Sequence, residues 1–138
     1  MSIATWSKKF IGSMEEAVKS ERASIEHGLR KWKGLRKRNL NRHKVYLEST
    51  SVKSVDGGFP ILICSENCAL CKRYYRRFNA ITCIECSLFK VNKESPCDGG
   101  PESPYNIFAH TRNPEPMINL LQRALDALDE REKTNAGK

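Results

Sequence analysis

The chain has 138 residues, of which 39% are apolar and 29% charged, and it carries a formal net charge of +8. This length suits one domain with a modest core, and no apolar run approaches the roughly 18 residues that a membrane-spanning helix needs. The N-terminal "MSIATWSKKF" also lacks the apolar stretch of a secretory signal. We therefore expect a cytoplasmic protein with no membrane contact, whose thiols are kept reduced.

Residues 1–43 are predicted to form a long amphipathic helix. Apolar residues recur there at steps that place them on one stripe of a helix with about 3.6 residues per turn. The stripe contains Ile11, Met14, Val18, Ile25, Leu29 and Trp32. Glu15 and Glu16 lie early and the basic residues late, as the helix dipole favours. The stripe predicts a helix face that packs on the core of the protein. The alternative is that this face forms the interface of a homodimer.

The end of this segment is strongly basic. Residues 30–44 contain eight Lys or Arg and no acid, and residues 1–50 contain twelve Lys or Arg against five acids. Such asymmetry indicates an acidic partner, either a nucleic acid or an acidic protein surface, and a solvated basic face is the alternative. The candidate contact residues here are Arg36, Lys37, Arg38, Arg42 and Lys44.

Residues 44–105 are predicted to form a β-hairpin followed by a cysteine module. "KVYLESTSVKSV" is rich in β-branched and aromatic residues, "DGG" is a turn and "FPILIC" is a short apolar strand. Residues 44–55 are therefore expected to pair with residues 59–64.

The cysteine module contains two C-x-x-C hooks, "CALC" and "CIEC", separated by eleven residues. The pattern C-x₂-C-x₁₁-C-x₂-C predicts a closed structural zinc site, which supports shape rather than catalysis. Its four ligands are Cys68, Cys71, Cys83 and Cys86. An iron–sulfur cluster is the alternative cofactor. Cys64 is expected to be a buried small residue, whereas Cys97 lies in a Gly/Pro loop and either substitutes for one ligand or pairs with Cys64.

The residues between the hooks are basic and aromatic. Lys72, Arg73, Arg76 and Arg77 alternate with Tyr74, Tyr75 and Phe78. Cations bind phosphates and rings stack on unpaired bases, so this segment indicates a second nucleic-acid contact. The alternative is that the aromatic rings pack around the hooks.

The segments "NCALCKRYY", "TCIECSLFK", "PCDGG" and "SPY" resemble a group of small, uncharacterised zinc-binding proteins encoded by bacteriophages and prophages. The preceding "KW-x-GL" of residues 31–35 belongs to the same resemblance, and Ser87 stands where that group has a proline. The resemblance implies metal binding and a phage or prophage origin, and hence a bacterial host cytoplasm. It carries no known activity, but its further cysteine corresponds to Cys97.

Residues 106–133 are predicted to form the C-terminal helix. Asn113 can cap it, Pro114 suits the first turn, and residues 134–138 form a frayed tail. The apolar face of this helix contains Met117, Leu120, Leu121, Ala124, Leu125 and Leu128.

Together these elements predict a single α+β domain with a small Cys₄ zinc-ribbon or treble-clef-like core and a β-hairpin, flanked by the two helices. The chain has no phosphate-binding Gly-rich loop, no H-E-x-x-H and no deaminase motif. His110 and Asn113 alone do not supply the ligands of a metal-dependent nuclease, which is the less favoured alternative. We expect a small binding or regulatory protein rather than an enzyme, which contacts nucleic acid or its processing machinery. An inhibitor or adaptor of a host protein is the alternative.

Overall fold

A computed structural model of the chain describes residues 2–63, 67–74, 86–97 and 99–136. The described part is a mixture of helices with a small three-stranded antiparallel sheet, which confirms the α+β class. In chain order its elements are α1 (Ile3–Phe10), α2 (Met14–Ala17), α3 (Glu21–Gly34), α4 (Lys37–Arg42), β1 (Val45–Glu48), β2 (Ser51–Ser54), β3 (Ile61–Leu62), α5 (Ala69–Tyr74), α6 (Ser87–Val91), α7 (Pro104–Thr111) and α8 (Glu115–Ala136).

The N-terminal segment differs from the predicted single helix, because the structure divides it into α1 to α4. Gly12 follows α1 with a positive φ of 62°. The hydroxyls of Ser13 and Ser20 then accept backbone N–H groups at the starts of α2 and α3, at 3.2 and 3.0 Å. Extended backbone at Arg36 separates α3 from α4. Serine capping thus starts new helices where the apolar stripe alone predicted a continuous one.

The sheet has the strand order β1-β2-β3. The segment predicted as one strand is itself a hairpin, in which Glu48 pairs with Ser51 across a two-residue turn. Ser49 takes a positive φ of 54° in that turn. β3 pairs with β2 as the predicted hairpin required, through Val52 and Ile61.

α3 and α8 run antiparallel and enclose the main core. At one end Arg22 donates to Asp129 and Glu132 at 2.6 and 2.7 Å, and at the other end Arg36 donates to Glu115 at 2.9 Å. The predicted apolar face of α8 is confirmed, since all its members are buried except the half-buried Leu125. The stripe residues of α3 are buried in the same core, so this face is covered within the chain.

The predicted C-terminal segment of residues 106–133 is not one helix, because α7 ends at Thr111 and α8 begins at Glu115 after the predicted Asn113 cap. The Asn113 side chain accepts the Glu115 N–H at 3.1 Å, and α8 continues to Ala136. Within the residues that the structure describes, no helix combines the length and apolarity that crossing a membrane would require.

Candidate metal centre and basic face

The first cysteine hook lies at the start of α5 and packs on α3. The Cys71 N–H points at the Cys68 sulfur, with 3.4 Å between nitrogen and Sγ, and the Cys68 carbonyl accepts the Lys72 N–H at 3.0 Å. Ala69 and Leu70, between the two cysteines, are buried. The apolar middle of the hook therefore fixes the turn, which holds the two sulfurs on one side.

The two thiols of this hook differ sharply in acidity. A hydrogen bond from Cys71 lowers the pKa of Cys68 to about 5, and the Lys31 ammonium and the Leu70 and Cys71 amides act in the same direction against burial. The same hydrogen bond raises the pKa of Cys71, and burial and negative charge on other cysteines add to this. The hook releases its first proton readily, but a second thiolate requires a cation to offset its charge.

Cys86 and Cys97 lie in the electrostatic surroundings of this hook, since negative charge on either raises the pKa of Cys71. Cys86 is the N-cap residue of α6 and Cys97 lies in the loop before α7, and both are half-buried against the core. The structure thus places Cys97 in the region of the predicted ligands.

The zinc site itself stays a prediction. Across residues 2–63, 67–74, 86–97 and 99–136, no group of three or more His, Cys, Asp or Glu is arranged to hold a metal ion. The predicted ligand Cys83 lies outside those ranges, as does Cys64. The zinc-ribbon or treble-clef geometry is likewise a prediction, because it depends on the second hook.

Tyr105 forms hydrogen bonds with two segments near the cysteines, and the sequence analysis gave it no role. Its backbone N–H donates to the Cys97 carbonyl at 2.9 Å, and its hydroxyl donates to the Ile63 carbonyl at 2.6 Å. Its ring meets the ring of Trp32 edge-on, with centroids 6.1 Å apart. Trp32 and Tyr105 belong to the "KW" and "SPY" segments on which the resemblance rests. These two segments could therefore have pointed to a role for both rings.

A basic face is formed by four exposed cations on and beside α4: Lys37, Arg38, Arg42 and Lys44. None of the four forms an ion pair with a carboxylate in the described part of the chain. Lys9 of α1 lies nearby, because both it and Arg42 contribute, after burial, to the lowered pKa of His43. Arg36 belongs to the same predicted set, but its Nε and Nη2 groups donate to the Glu115 carboxylate.

The predicted cations near the hooks are less available. Lys72 and Arg73 are both exposed, but the Arg73 guanidinium donates to the Val18 carbonyl at 2.9 Å and lies over the ring of Tyr74. Tyr74 packs against the core, as the alternative interpretation of the aromatic residues expected. Arg76 and Arg77 lie outside the described residues.

Acidic residues gather at the opposite end of the α3–α8 pair from the basic face. Asp126, Asp129, Glu130 and Glu132 line one surface of α8. Asp129 binds Arg22 near the start of α3, whereas α4 follows the end of α3. The 14 residues of α3 span about 21 Å, so this acidic cluster lies well apart from the basic face.

A groove of about 570 Å³ borders the basic face, between the α4–β1 segment and the α7–α8 junction. Leu35, Leu40 and Val45 form its apolar floor, while Lys37 and Arg112 contribute cations. Tyr46 lines the groove with 42% of its surface exposed. The volume lies within the usual range of small-ligand sites.

Comparisons with protein-family models, curated proteins and solved structures return no match to this chain.

Proposed function

We propose that the protein binds nucleic acid with unpaired bases through the basic face, and that its cysteine module is a structural support. The observation that carries this proposal is the set of four exposed cations on and beside α4, none of which pairs with a carboxylate of the described residues. Such cations contact phosphates, and the distance from the acidic end limits repulsion of a polyanion.

The lining of the groove favours nucleic acid with unpaired bases as the ligand. Its apolar floor and the exposed ring of Tyr46 offer a stacking surface beside the phosphate-binding cations. Stacking of a base on an aromatic ring is independent of sequence, because every base has a flat face. We therefore expect binding to single strands with little sequence preference.

The cysteine module is proposed to hold one zinc ion through Cys68, Cys71, Cys83 and Cys86, in a zinc-ribbon or treble-clef arrangement. Cys97 is the substitute ligand that the electrostatics around Cys71 support. An iron–sulfur cluster would be distinguished by its visible absorbance. The proposed role is binding rather than catalysis: His27 and His43 are buried, and His110 lies apart from them on α7.

The test is the salt dependence of binding to a fluorescent single-stranded oligonucleotide, measured by anisotropy. Reversing Arg38→Glu and Arg42→Glu together should weaken binding of all sequences alike. It should also make the log–log salt slope shallower by about 1.4, at roughly 0.7 per phosphate contact on single strands.

The matched control reverses two exposed cations of α8, Arg123→Glu and Lys133→Glu, which changes the net charge by the same amount. Affinity should then change much less. Equal losses in the two double variants would show that only overall charge matters. Failure of the wild type to bind any DNA or RNA at physiological salt would refute the proposal.

A protein partner is the second candidate, favoured by exposed apolar residues around β3. Phe59 and Val55 are 93% and 62% exposed, and Leu62 in β3 is 46% exposed. An inhibitor or adaptor of a host protein would use such residues in its interface. Its signature is a co-purifying protein that survives nuclease treatment and is lost in Phe59→Ser.

A further inference from the structure

Arg112 is an exposed cation on the other side of the groove from α4. It ends α7 and lines the groove at the α7–α8 junction, whereas Lys37 lines it from α4. The two sides meet where the Arg36 guanidinium donates to the Glu115 carboxylate at 2.9 Å, three residues after Arg112. The groove therefore has a cation on each side.

The charge of the groove suits an anion. Among the described residues its lining contains three cations, Arg36, Lys37 and Arg112, and one acid, Glu115, which gives a net charge of +2. The acid is neutralised by Arg36, which donates to it from Nε and Nη2. An apolar floor and the exposed ring of Tyr46 complete the lining. Such a groove is complementary to a base that has a phosphate on either side.

The backbone of Arg112 adopts a conformation that favours glycine. Its φ is 61°, and its N–H donates to the Phe108 carbonyl at 2.7 Å, which closes the end of α7. Helices commonly end in this left-handed conformation, but glycine is the usual residue because a β-carbon is strained there. Residues held in such conformations are concentrated at functional sites. A large cation at this position therefore indicates a role for its side chain at the groove.

We propose that Arg112 binds a phosphate, so that a single strand crosses the groove from the basic face to the α7–α8 junction with one base between its two phosphate contacts. This inference rests on the proposed function and adds the path of the strand. The groove then takes an internal nucleotide, which has a phosphate on each side. A nucleoside monophosphate, with one phosphate, would reach only one of the two sides.

The experiment measures the salt dependence of binding to a fluorescent oligothymidylate in variants of the full chain. Arg112→Gly should weaken binding and make the log–log salt slope shallower by about 0.7, the contribution of one phosphate contact on a single strand. Its thermal midpoint should stay or rise, because glycine relieves the backbone, so the loss does not come from unfolding. Arg112→Lys keeps the charge and should keep the slope.

Lys93→Gly is the matched control. Lys93 is exposed, has a φ of 56° and is not part of the groove lining. The substitution therefore removes the same charge from the same backbone conformation, and the salt slope should stay that of wild type. Thymidine monophosphate and poly-glutamate should both compete poorly with the oligonucleotide, because the first has one phosphate and the second has no bases.

The outcomes separate the path of the strand from the proposed function. A wild type that binds no single strand contradicts both. A wild type whose slope responds to Arg38→Glu with Arg42→Glu, but not to Arg112→Gly, overturns the path alone, and so do equal losses in Arg112→Gly and Lys93→Gly.

Two further results would also overturn the path. Displacement of the oligonucleotide by poly-glutamate, lost in Arg112→Gly, would assign the groove to an acidic peptide. Should Arg112→Gly fail to fold, as judged by circular dichroism, Arg112→Gln decides, because it removes the charge and keeps a side chain. An unchanged salt slope in Arg112→Gln would then exclude the phosphate contact.

Discussion

His27 is one of the polar residues that the fold buries on α3. Only 2% of its surface is exposed, and neither ring nitrogen finds a hydrogen-bond partner among the described residues. Burial lowers its pKa to about 4, and the charges of Lys31 and Arg30 act in the same direction. The Ile11 carbonyl, which does not form a hydrogen bond of good geometry with the ring, opposes this shift in part. His27 is therefore neutral in the folded protein at physiological pH.

Stability should consequently fall as the pH decreases from about 6.5 to 4. In this range the unfolded chain protonates His27 while the folded chain resists it, so protons favour unfolding. The loss is about 1.4 kcal/mol per pH unit, or roughly 3 kcal/mol in all. His27→Leu should remove this part of the acid destabilisation, measured by urea unfolding at several pH values.

The same substitution should leave stability at pH 7 unchanged or raised, because it removes two buried nitrogens without partners. His110→Ala removes an exposed histidine and is the control. If wild type and His27→Leu lose stability to the same extent below pH 6.5, the buried imidazole is not the group whose protonation destabilises the protein.

At the scale of elements, α1 is held on α3 by a close approach at Gly34. The Trp6 indole N–H donates to the Gly34 carbonyl at 2.9 Å, and the Phe10 ring lies where a side chain at residue 34 would begin. Both rings are buried. Packing thus explains the glycine of "KW-x-GL", because any side chain larger than hydrogen at residue 34 would overlap the Phe10 ring.

Gly34→Ala should therefore destabilise the protein by about 2 kcal/mol, because its methyl group overlaps a buried ring that cannot move aside. Gly28→Ala is the matched control on the same helix. Its methyl group meets only the terminal methyl groups of the buried Leu121, which must shift slightly, and the roughly 1 kcal/mol by which alanine favours a helix offsets that cost. Thermal unfolding of both variants measures the difference, and equal midpoints would exclude the proposed clash.

The elements that the sequence predicted well are those whose signals are local. α8 has its cap, its proline and its apolar stripe within a single segment, and it was identified. The breaks at Ser13 and Ser20 were missed because serine is also tolerated inside helices, so periodicity outweighed its capping role. The turn at Ser49 was missed because it contains neither glycine nor asparagine, the usual residues of a two-residue hairpin turn.

At the scale of the whole molecule, the candidate site depends on contacts between residues far apart in the sequence. Local sequence patterns cannot reveal such contacts. The hooks could be recognised because ligand spacing lies in one short segment. The Lys31–Asn67 and Tyr105–Ile63 bonds span 36 and 42 residues, so only the folded chain reveals them. The pairing of Arg36 with Glu115 spans 79 residues and was equally hidden.

These long-range contacts join two regions that differ in how they are stabilised. The region of α1, α3, α7 and α8 has a core of large apolar side chains, including Trp6, Phe108 and Leu120, each fully buried. The cysteine region contains α5 and α6, of six and five residues. Helices so short depend on outside support. Leu70 and Leu88 supply part of it by packing into the core, and the proposed metal would add to it.

If the proposed zinc ion is bound, its removal should loosen the cysteine region and leave the helical core folded. After treatment with a zinc chelator, amide hydrogen exchange should accelerate in residues 67–74 and 86–91, while the amides of α3 and α8 stay protected. Cys71→Ser should produce the same pattern without chelator. Uniform acceleration would mean that the metal organises the whole core, and unchanged exchange everywhere would mean that the cysteine region needs no metal.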